Sequence, residues 1–411
     1  MKGRAHTTIM RAYKGIRSVA GYLQIGGTLL VLAFALGLWQ PLSLAEGDPK
    51  APQYKVDASW PKPLPTSKDE SGVARQWITG SVGASCLDSR GHLITFNRAY
   101  ETAGNPLGPL SVPAPPAIEY DSAGNVVNSW GDGTLTPNGG TRTMPRGVHG
   151  CFVDYQDNIW VGGFQDGVVQ KWTHDGKKML MQIGQKGVCD GPETLSPKAP
   201  YPTCGSPGNN SSKTLLNLPA DMFIDPNPDP VTAQRGSVYI ADGYGNHRIV
   251  VFDSQGKYLR QWGSAGSEPG QFVATGGGHP HCVIIGNDGL VYACDRGNNR
   301  IQVFDKQGNL KRIIPIDPPA YMKQRISGSA ANDFTFSRDK GQSLMFETDL
   351  GTYVVWMIAR ESGNVIGSMG RPGRMAGDFI LPHSIDIDSN NVIYVAETGT
   401  GNRVQKFVPV K

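Results

Sequence analysis

The chain has 411 residues, which is enough for one large β domain or two ordinary ones. Its 39 Lys and Arg residues outnumber its 35 Asp and Glu residues, but five of the basic residues lie within the first 17 positions, so the rest of the chain carries a net charge of −1. A nearly neutral body lacks the basic surface that nucleic-acid binding requires, and we expect no nucleic-acid partner.

Residues 1–45 are set apart from the rest by their composition. An uncharged run, Ser18–Ala45, follows the five basic residues, and its core, Leu29–Trp39, is almost wholly apolar. Ser43-Leu44-Ala45 fits a small-x-small cleavage site, which predicts an export signal. An uncleaved membrane anchor is the alternative, because Gly21–Trp39 is just long enough to span a bilayer. The chain is therefore expected to be exported, periplasmic or extracellular, and to contact a membrane only if residues 18–45 are retained.

The segment 46–75 is rich in proline and contains one short predicted strand, Tyr54–Ala58, with no partner strand nearby. In a β-propeller such an N-terminal strand commonly completes the last blade, because ring closure removes an open sheet edge. The last repeat ends at Phe407, too early to supply its own outer strand. We expect Tyr54–Ala58 to take that place.

One strand–turn–strand unit occurs twice between Val238 and Phe304. In each copy an apolar strand leads into a Gly/Asn turn, and a second strand is followed by Asp-x-x-Gly, which favours a hairpin turn. Repeats of this kind, with a period of roughly 40–50 residues, predict a β-propeller. Six repeats are found, at Gln76–Gly131, Pro145–Gly184, Leu216–Gly263, Gly276–Ile316, Ser327–Gly370 and Asp378–Phe407. The predicted fold is all-β: one monomeric six-bladed propeller, residues 76–411, behind the signal or anchor.

The six cysteines are compatible with an oxidising compartment. Cys189 and Cys204 lie in a Pro/Gly/Ser-rich loop, residues 185–215, which is long enough to need a tether or a function. A disulfide between them is predicted. The other four cysteines are left open between disulfides and buried thiols, although Cys86 and Cys151 occupy matching points of adjacent repeats, and Cys282 and Cys294 flank one hairpin.

Three histidines occupy one equivalent position in alternate repeats. His149, His281 and His383 each lie eleven residues before an aromatic residue of the next strand, at Trp160, Tyr292 and Tyr394. Each histidine therefore begins the innermost strand of blade two, four or six, where inner strands line the central channel. Gly83, Ala220 and Asn332 align with them in the odd blades.

Three imidazoles that converge in this way suit a zinc site with an open fourth position. The alternative, that histidines at a channel mouth are hydrogen-bonded polar caps, explains one such residue better than three in register. His6, His92, His174 and His247 lie in the leader or in turns and are given no role. His279 is left open between a supporting residue and part of a loop.

The turns that follow predicted inner strands of three blades also offer polar side chains near the same mouth of the channel. They are Arg98, Tyr244 and Arg296. Packing for the tyrosine, or structural salt bridges for the arginines, would explain them equally well on spacing alone.

The repeats resemble the NHL family of six-bladed propellers, in Asn299–Phe304 (N-R-I-x-V-F) and Asn402–Phe407 (N-R-V-x-K-F). Over most of residues 75–407 the chain also resembles the catalytic propeller of peptidyl-α-hydroxyglycine α-amidating lyases, through Asp242–Phe252, Cys294–Phe304 and Leu381–Ile385. That resemblance implies zinc ligands at His149, His281 and His383, a catalytic tyrosine at Tyr244 and active-site arginines at Arg98 and Arg296.

Two departures from the lyase pattern matter. The family has a cysteine where Gly245 stands, so one family disulfide is missing. It has an acidic calcium ligand where Ser384 stands, so a structural calcium ion is doubtful. This sequence carries no copper monooxygenase domain, so the hydroxylated substrate is expected to come from elsewhere.

The resemblance implies a zinc-dependent lyase that cleaves the C–N bond of a peptidyl- or N-acyl-α-hydroxyglycine to an amide and glyoxylate. Its partner is expected to be a small-molecule or peptide substrate with a carboxylate. The alternative is a non-enzymatic propeller scaffold that binds a protein or a cell-envelope partner, which has no need for three channel histidines. A calcium-dependent lactonase is a third possibility, but it would need carboxylates at the inner-strand positions that these histidines occupy.

Overall fold

The structure is a computed structural model, and it describes residues 47–98, 110–131, 144–194, 203–273, 279–317 and 330–410. These residues fall within one unit, Leu42–Lys411, while Met1–Pro41 is a separate unit outside the described ranges. The predicted signal or anchor lies outside these ranges too. Within the described residues, no helix is long and apolar enough to span a membrane.

The described residues form six four-stranded antiparallel sheets, which are the blades of a propeller. The chain begins with β1 (Tyr54–Val56), β2 (Thr66–Lys68) and β3 (Ala74–Ile78). Blade one contains β4 (Val82–Leu87), β5 (Leu93–Asn97), β7 (Ala117–Tyr120) and β8 (Val126–Trp130), and the inserted β6 (Ser111–Pro113) pairs with β3 outside it. Blade two contains β9 (Val148–Val153), β10 (Ile159–Gly163), β11 (Val168–Trp172) and β12 (Met179–Ile183).

The remaining blades follow the same pattern. Between blades two and three, β13 (Glu193–Thr194) pairs with β14 (Thr203–Cys204). Blade three contains β15 (Asp221–Asp225), β16 (Ser237–Asp242), β17 (Arg248–Phe252) and β18 (Tyr258–Trp262). Blade four contains β19 (Val283–Ile285), β20 (Val291–Asp295), β21 (Arg300–Phe304) and β22 (Leu310–Pro315). Blade five contains β23 (Asp333–Phe336), β24 (Leu344–Asp349), β25 (Val354–Ala359) and β26 (Val365–Met369), and blade six contains β27 (Pro382–Ile387), β28 (Ile393–Glu397) and β29 (Arg403–Pro409). The predicted six-bladed fold is confirmed.

The N-terminal strand β1 is the outermost strand of blade six. It pairs antiparallel with β29, with Tyr54 opposite Pro409 and Val56 opposite Phe407. The ring is thereby closed by strands from the two ends of the described chain, which removes a sheet edge that would otherwise be open.

The repeated Asp-x-x-Gly sequences form the hairpin turns that they predict. At Asp253 the side chain accepts the backbone N–H of Lys257 at 2.9 Å, and the N–H of Gly256 donates to the Asp253 carbonyl at 3.0 Å. Gly256 has φ of +80°, a conformation that glycine adopts without strain. These turns connect the outer strands and leave the inner strands to define the channel.

All six cysteines form disulfides in the structure. The predicted Cys189–Cys204 bond is present, with a Cα–Cα distance of 5.4 Å. Both pairs that the sequence left open are bonded as well: Cys86–Cys151 joins β4 of blade one to β9 of blade two, and Cys282–Cys294 lies within blade four. Three disulfides are compatible with an exported protein.

The innermost strand of each blade faces a central cavity of about 400 Å³. Its lining includes residues from β4, β9, β15, β19, β23 and β27, together with the three histidines that the sequence singled out. The fold thus directs one segment from every blade toward the same space.

Candidate metal centre and active site

The structure brings the three predicted histidines together. His149 is the second residue of β9, His281 lies two residues before β19, and His383 is the second residue of β27. All three are buried, and one ring nitrogen from each lies within 4.8 Å of the others. Three imidazoles from alternate blades therefore surround one point, as their equivalent positions in the sequence predict.

The outward nitrogen of each imidazole faces the backbone of an odd blade. His149 Nδ1 lies 2.6 Å from the Ala220 carbonyl oxygen, and His281 Nδ1 lies 2.6 Å from that of Asn332. The Gly83 backbone takes the corresponding place beside His383, although no hydrogen bond of good geometry reaches His383 Nδ1. Because a carbonyl only accepts, Nδ1 carries the proton and the Nε2 lone pair points toward the centre.

The local environment keeps these imidazoles neutral. Burial, together with the positive charges of Arg98 and Arg296, lowers the pKa of His383 to about 3. Burial is also the main reason that the pKa values of His149 and His281 lie well below 6.5, with neighbouring histidines and arginines adding to the effect. Neutral imidazole is the form that binds a metal ion.

Tyr244 reaches into the centre of the histidine cluster from the turn after β16. Its hydroxyl oxygen lies 3.1 Å from His149 Nε2 and 3.0 Å from His281 Nε2. Both nitrogens are acceptors in the tautomer set by their backbone partners, but one hydroxyl group has a single proton to donate. The buried centre therefore holds more lone pairs than protons, and this excess suits a bound cation.

The two predicted arginines lie near Tyr244, Arg296 against its ring and Arg98 against the neighbouring Phe164. Arg98 Nε donates to the Val148 carbonyl at 3.3 Å, and its guanidinium carbon lies 5.3 Å from the centre of the Phe164 ring. The Arg296 guanidinium carbon lies 5.6 Å from the centre of the Tyr244 ring. All six residues singled out from the sequence therefore meet at one end of the channel.

Phe164 is a residue of the site that sequence reasoning missed. It begins a short 3-10 turn, Phe164–Asp166, directly after β10. Its ring centre lies 5.2 Å from that of Tyr244 and 5.8 Å from that of His149. Phe164 thus packs between Arg98 and Tyr244, a role that no motif in the sequence indicates.

Asn332 was aligned with the site from the sequence but was given no role. Besides accepting from His281, it donates from Nδ2 to the His383 carbonyl at 2.5 Å and accepts from Arg296 Nη1 at 3.2 Å. This one buried residue contacts two of the three histidines and one arginine. Its equivalence to Gly83 and Ala220 was the signal that could have revealed it.

His279, which the sequence left open, supports the Arg296 turn. Its Nδ1 accepts the backbone N–H of Gly297 at 2.8 Å. Burial, followed by the charge of Arg296, lowers the pKa of His279 to about 3, so the ring stays neutral and keeps this acceptor. His279 is a positioning residue rather than a member of the three-histidine cluster.

Three half-buried carboxylates, Asp221, Asp333 and Asp386, line the same cavity on β15, β23 and β27. Asp333 accepts the backbone N–H of Ile385 at 3.0 Å, and burial raises its pKa to about 7. Burial also raises the pKa of Asp386 to about 6. Within the described residues these carboxylates do not form a cluster of ligand atoms as close as that of the histidines.

A second group of side chains that could hold a metal ion lies outside the lining of the channel cavity, and the sequence analysis missed it. Asp88, Glu119 and His174 each offer a ligand atom within 4.8 Å of the others. His92 lies beside them, with its Nδ1 2.7 Å from Glu119 Oε1. These residues come from two blades and share no motif, which is why their spacing in the sequence did not indicate a site.

Comparison with known proteins agrees with the resemblance seen in the sequence. The NHL repeat family matches residues 278–304. NHL repeat-containing protein 3 of Homo sapiens is 24% identical over 374 residues, covering 87% of this chain and 84% of that protein. Peptidyl-α-hydroxyglycine α-amidating lyase 2 of Drosophila melanogaster is 25% identical over 374 residues, covering 84% and 78%. A probable peptidyl-α-hydroxyglycine α-amidating lyase of Caenorhabditis elegans is 26% identical over 239 residues, 55% of each chain.

Proposed function

We propose that this NHL-repeat propeller is a zinc-dependent lyase that cleaves the C–N bond of a peptidyl- or N-acyl-α-hydroxyglycine, releasing an amide and glyoxylate. The observation that carries the proposal is the position of the Tyr244 hydroxyl, 3.1 and 3.0 Å from two buried Nε2 atoms. The similarity to proteins named as amidating lyases supports the same reaction class.

The residues of the cluster fit a zinc ion. His149, His281 and His383 would hold it through Nε2, because their Nδ1 positions face backbone groups. Three histidine ligands with an open position are a common catalytic zinc arrangement. The ion would supply Lewis-acid polarisation of a substrate oxygen.

The substrate carries a hydroxyl group, an amide nitrogen and a carboxylate on one carbon. In the proposed reaction Tyr244, as the general base, removes the hydroxyl proton, the C–O bond becomes a carbonyl, and the C–N electron pair leaves with the nitrogen. The nitrogen then gains a proton, so the products are an amide and glyoxylate with no water consumed. The distances of its hydroxyl oxygen from His149 Nε2 and His281 Nε2, 3.1 and 3.0 Å, support this role for Tyr244.

The arginines are proposed to bind the substrate's negative charge. Arg98 would pair with the carboxylate through a fork-shaped contact, a geometry that guanidinium groups favour. Arg296, whose guanidinium lies against the Tyr244 ring, would add positive charge where the oxyanion develops. The Phe164 ring beside Arg98 offers an apolar wall to the acyl part of the substrate.

Several properties of the protein belong to the proposal as well. We propose that it is exported to the periplasm or the cell exterior and acts as a monomer. We propose zinc without a structural calcium ion. The channel carboxylates beside Ser384 are Asp386, two residues along β27, and Asp333, which accepts the backbone N–H of Ile385, and among the described residues they belong to no close cluster of ligand atoms.

The test uses full-length protein, loaded with zinc and incubated with N-benzoyl-α-hydroxyglycine. Glyoxylate should be released above the spontaneous rate. His383→Ala should lose both the activity and one zinc equivalent, while Lys177→Ala, at an exposed hairpin position, should retain both. Wild-type protein that binds zinc but yields no glyoxylate would favour the binding-scaffold alternative.

A further inference from the structure

The side-chain cluster at the junction of blades one and two lies apart from the three-histidine centre. Asp88 follows β4, Glu119 lies on β7, and His174 lies in the turn between β11 and β12 of the next blade. The Asp88 side chain is fully buried and that of Glu119 is 4% exposed. Two buried carboxylates therefore face a histidine from the neighbouring blade.

Backbone contacts orient these ligand atoms toward one point. Asp88 Oδ1 accepts the N–H groups of Arg90 and His92, at 2.9 and 2.8 Å, which leaves Oδ2 facing the cluster. His174 Nδ1 lies 3.0 Å from the Asp157 carbonyl, so its proton is on Nδ1 and the Nε2 lone pair faces Asp88 and Glu119.

The spacing of these atoms fits a small divalent ion. His174 Nε2 lies 3.5 Å from Asp88 Oδ2 and 3.5 Å from Glu119 Oε2. Tetrahedral zinc with bonds of 2.0–2.2 Å separates its ligands by about 3.3–3.6 Å. His92 would support the site from outside, through its contact with Glu119.

A cation already occupies this point in the structure, namely the guanidinium of Arg90. Arg90 Nη2 lies 2.7 Å from Asp88 Oδ2, 2.9 Å from Glu119 Oε1 and 2.6 Å from His174 Nε2. Arg90 Nε also donates to Asp88 Oδ2, at 2.9 Å, so the guanidinium provides a hydrogen to each of the three acceptors, but its single positive charge matches only one of the two carboxylates. The Arg90 side chain is 52% exposed, and it can therefore turn outward and leave the ligands to an ion.

We propose that Asp88, Glu119 and His174 form a second zinc-class site that links blades one and two, with Arg90 as its exchangeable occupant. The charge supports this assignment, since two buried carboxylates balance one divalent ion, whereas one guanidinium balances only half of their charge. The site would act beside the Cys86–Cys151 disulfide, which joins the same two blades. It does not depend on the proposed lyase activity.

The experiment counts zinc bound to chelator-stripped full-length protein after titration with Zn²⁺ alone. Wild type should bind two equivalents, and His174→Ala and Glu119→Gln should each bind one. Lys177→Ala, three residues from His174 in the same hairpin, should bind two. In the His383→Ala background, where the outer site is measured by itself, adding Arg90→Ala should tighten binding by roughly 2- to 10-fold because the competing cation is gone.

The outcomes separate the two sites. If His174→Ala and Glu119→Gln bind as much zinc as wild type, the cluster is an ion-pair network only and the inference is wrong. If Arg90→Ala in the His383→Ala background weakens zinc binding, Arg90 is part of the site rather than its competitor, and the inference is also wrong. If His383→Ala loses no zinc while His174→Ala does, the fault lies with the channel site and the outer site stands.

Discussion

The imidazole of His281, in blade four, donates through Nδ1 to the backbone carbonyl of Asn332, in blade five, across 2.6 Å. The side chain of the same asparagine donates to the His383 carbonyl and accepts from Arg296. Ligand orientation and arginine position are therefore set by one residue that touches neither metal nor substrate in the proposed site. Three neighbouring groups would shift together if that residue changed.

Asn332→Ala should lower kcat/KM for N-benzoyl-α-hydroxyglycine, or zinc affinity, by roughly 10- to 100-fold, the usual cost of losing a residue that orients metal ligands. Asn332→Asp keeps the acceptor for Arg296 and loses only the donor to His383, so it should recover substrate affinity better than zinc affinity. Measuring KM and zinc affinity separately distinguishes these effects. Asn309→Ala, in an exposed turn of blade four, is the matched control.

Tyr244→Phe should reduce kcat by roughly 10²- to 10⁴-fold, the range expected for the loss of a general base. Its zinc content should stay at the wild-type level, because the phenol is not one of the three proposed ligands. Steady-state kinetics and metal analysis of the same preparation test both statements. Tyr155→Phe, at a half-exposed turn, should behave as wild type. Full activity in Tyr244→Phe would require another base.

Arg98→Ala should act mainly on substrate capture. Its guanidinium is proposed to bind the carboxylate equally in the ground and transition states, so KM should rise while kcat changes little. With wild-type enzyme, an α-hydroxyglycine analogue whose carboxylate is converted to an amide should show a similarly raised KM. With this analogue, Arg98→Ala should not raise KM any further, because the carboxylate that Arg98 binds is absent. A large fall in kcat at unchanged KM would contradict the assigned role.

Zinc in the channel site should survive mild acidification. The folded-state pKa of His383 is about 3, below the ordinary 6.5, so protons compete for the empty site only well below pH 6.5. The free energy of unfolding changes in the same direction. A histidine with a depressed folded-state pKa makes its full contribution to stability above pH 6.5, and that contribution is lost as pH falls toward 3. Metal retained after equilibration between pH 7 and pH 4, measured with the His174→Ala variant, gives the midpoint. A midpoint at or above 6.5 would show that the imidazoles are not held neutral.

Removing the Cys86–Cys151 disulfide should destabilise the protein more than removing Cys189–Cys204. The bonds close loops with sequence separations of 65 and 15, for which chain entropy gives about 4 and about 3 kcal/mol. Denaturant unfolding of the two double Cys→Ser variants provides the comparison. Equal unfolding midpoints for the variants and wild type would mean that loop closure contributes nothing to stability here.

The ring of blades and the three channel histidines could be predicted because a propeller repeats one unit, and equivalent positions in the sequence become equivalent positions around the axis. His149, His281 and His383 carry that signal in their common spacing to an aromatic residue. Asn332 was located by the same alignment, but its contacts depend on side-chain directions that a repeat does not reveal. Asp88, Glu119 and His174 occupy different positions within their blades, so no periodicity connects them, and only the packing of one blade against the next brings them together.

The pairing of β1 with β29 makes the proposed metal centre depend on where the N-terminus is trimmed. His383 lies on β27, the innermost strand of the same sheet whose outer edge is β1. Proteolytic maturation anywhere before Tyr54 leaves that sheet whole. Trimming beyond Val56 would remove the outermost strand from the blade that presents the third histidine.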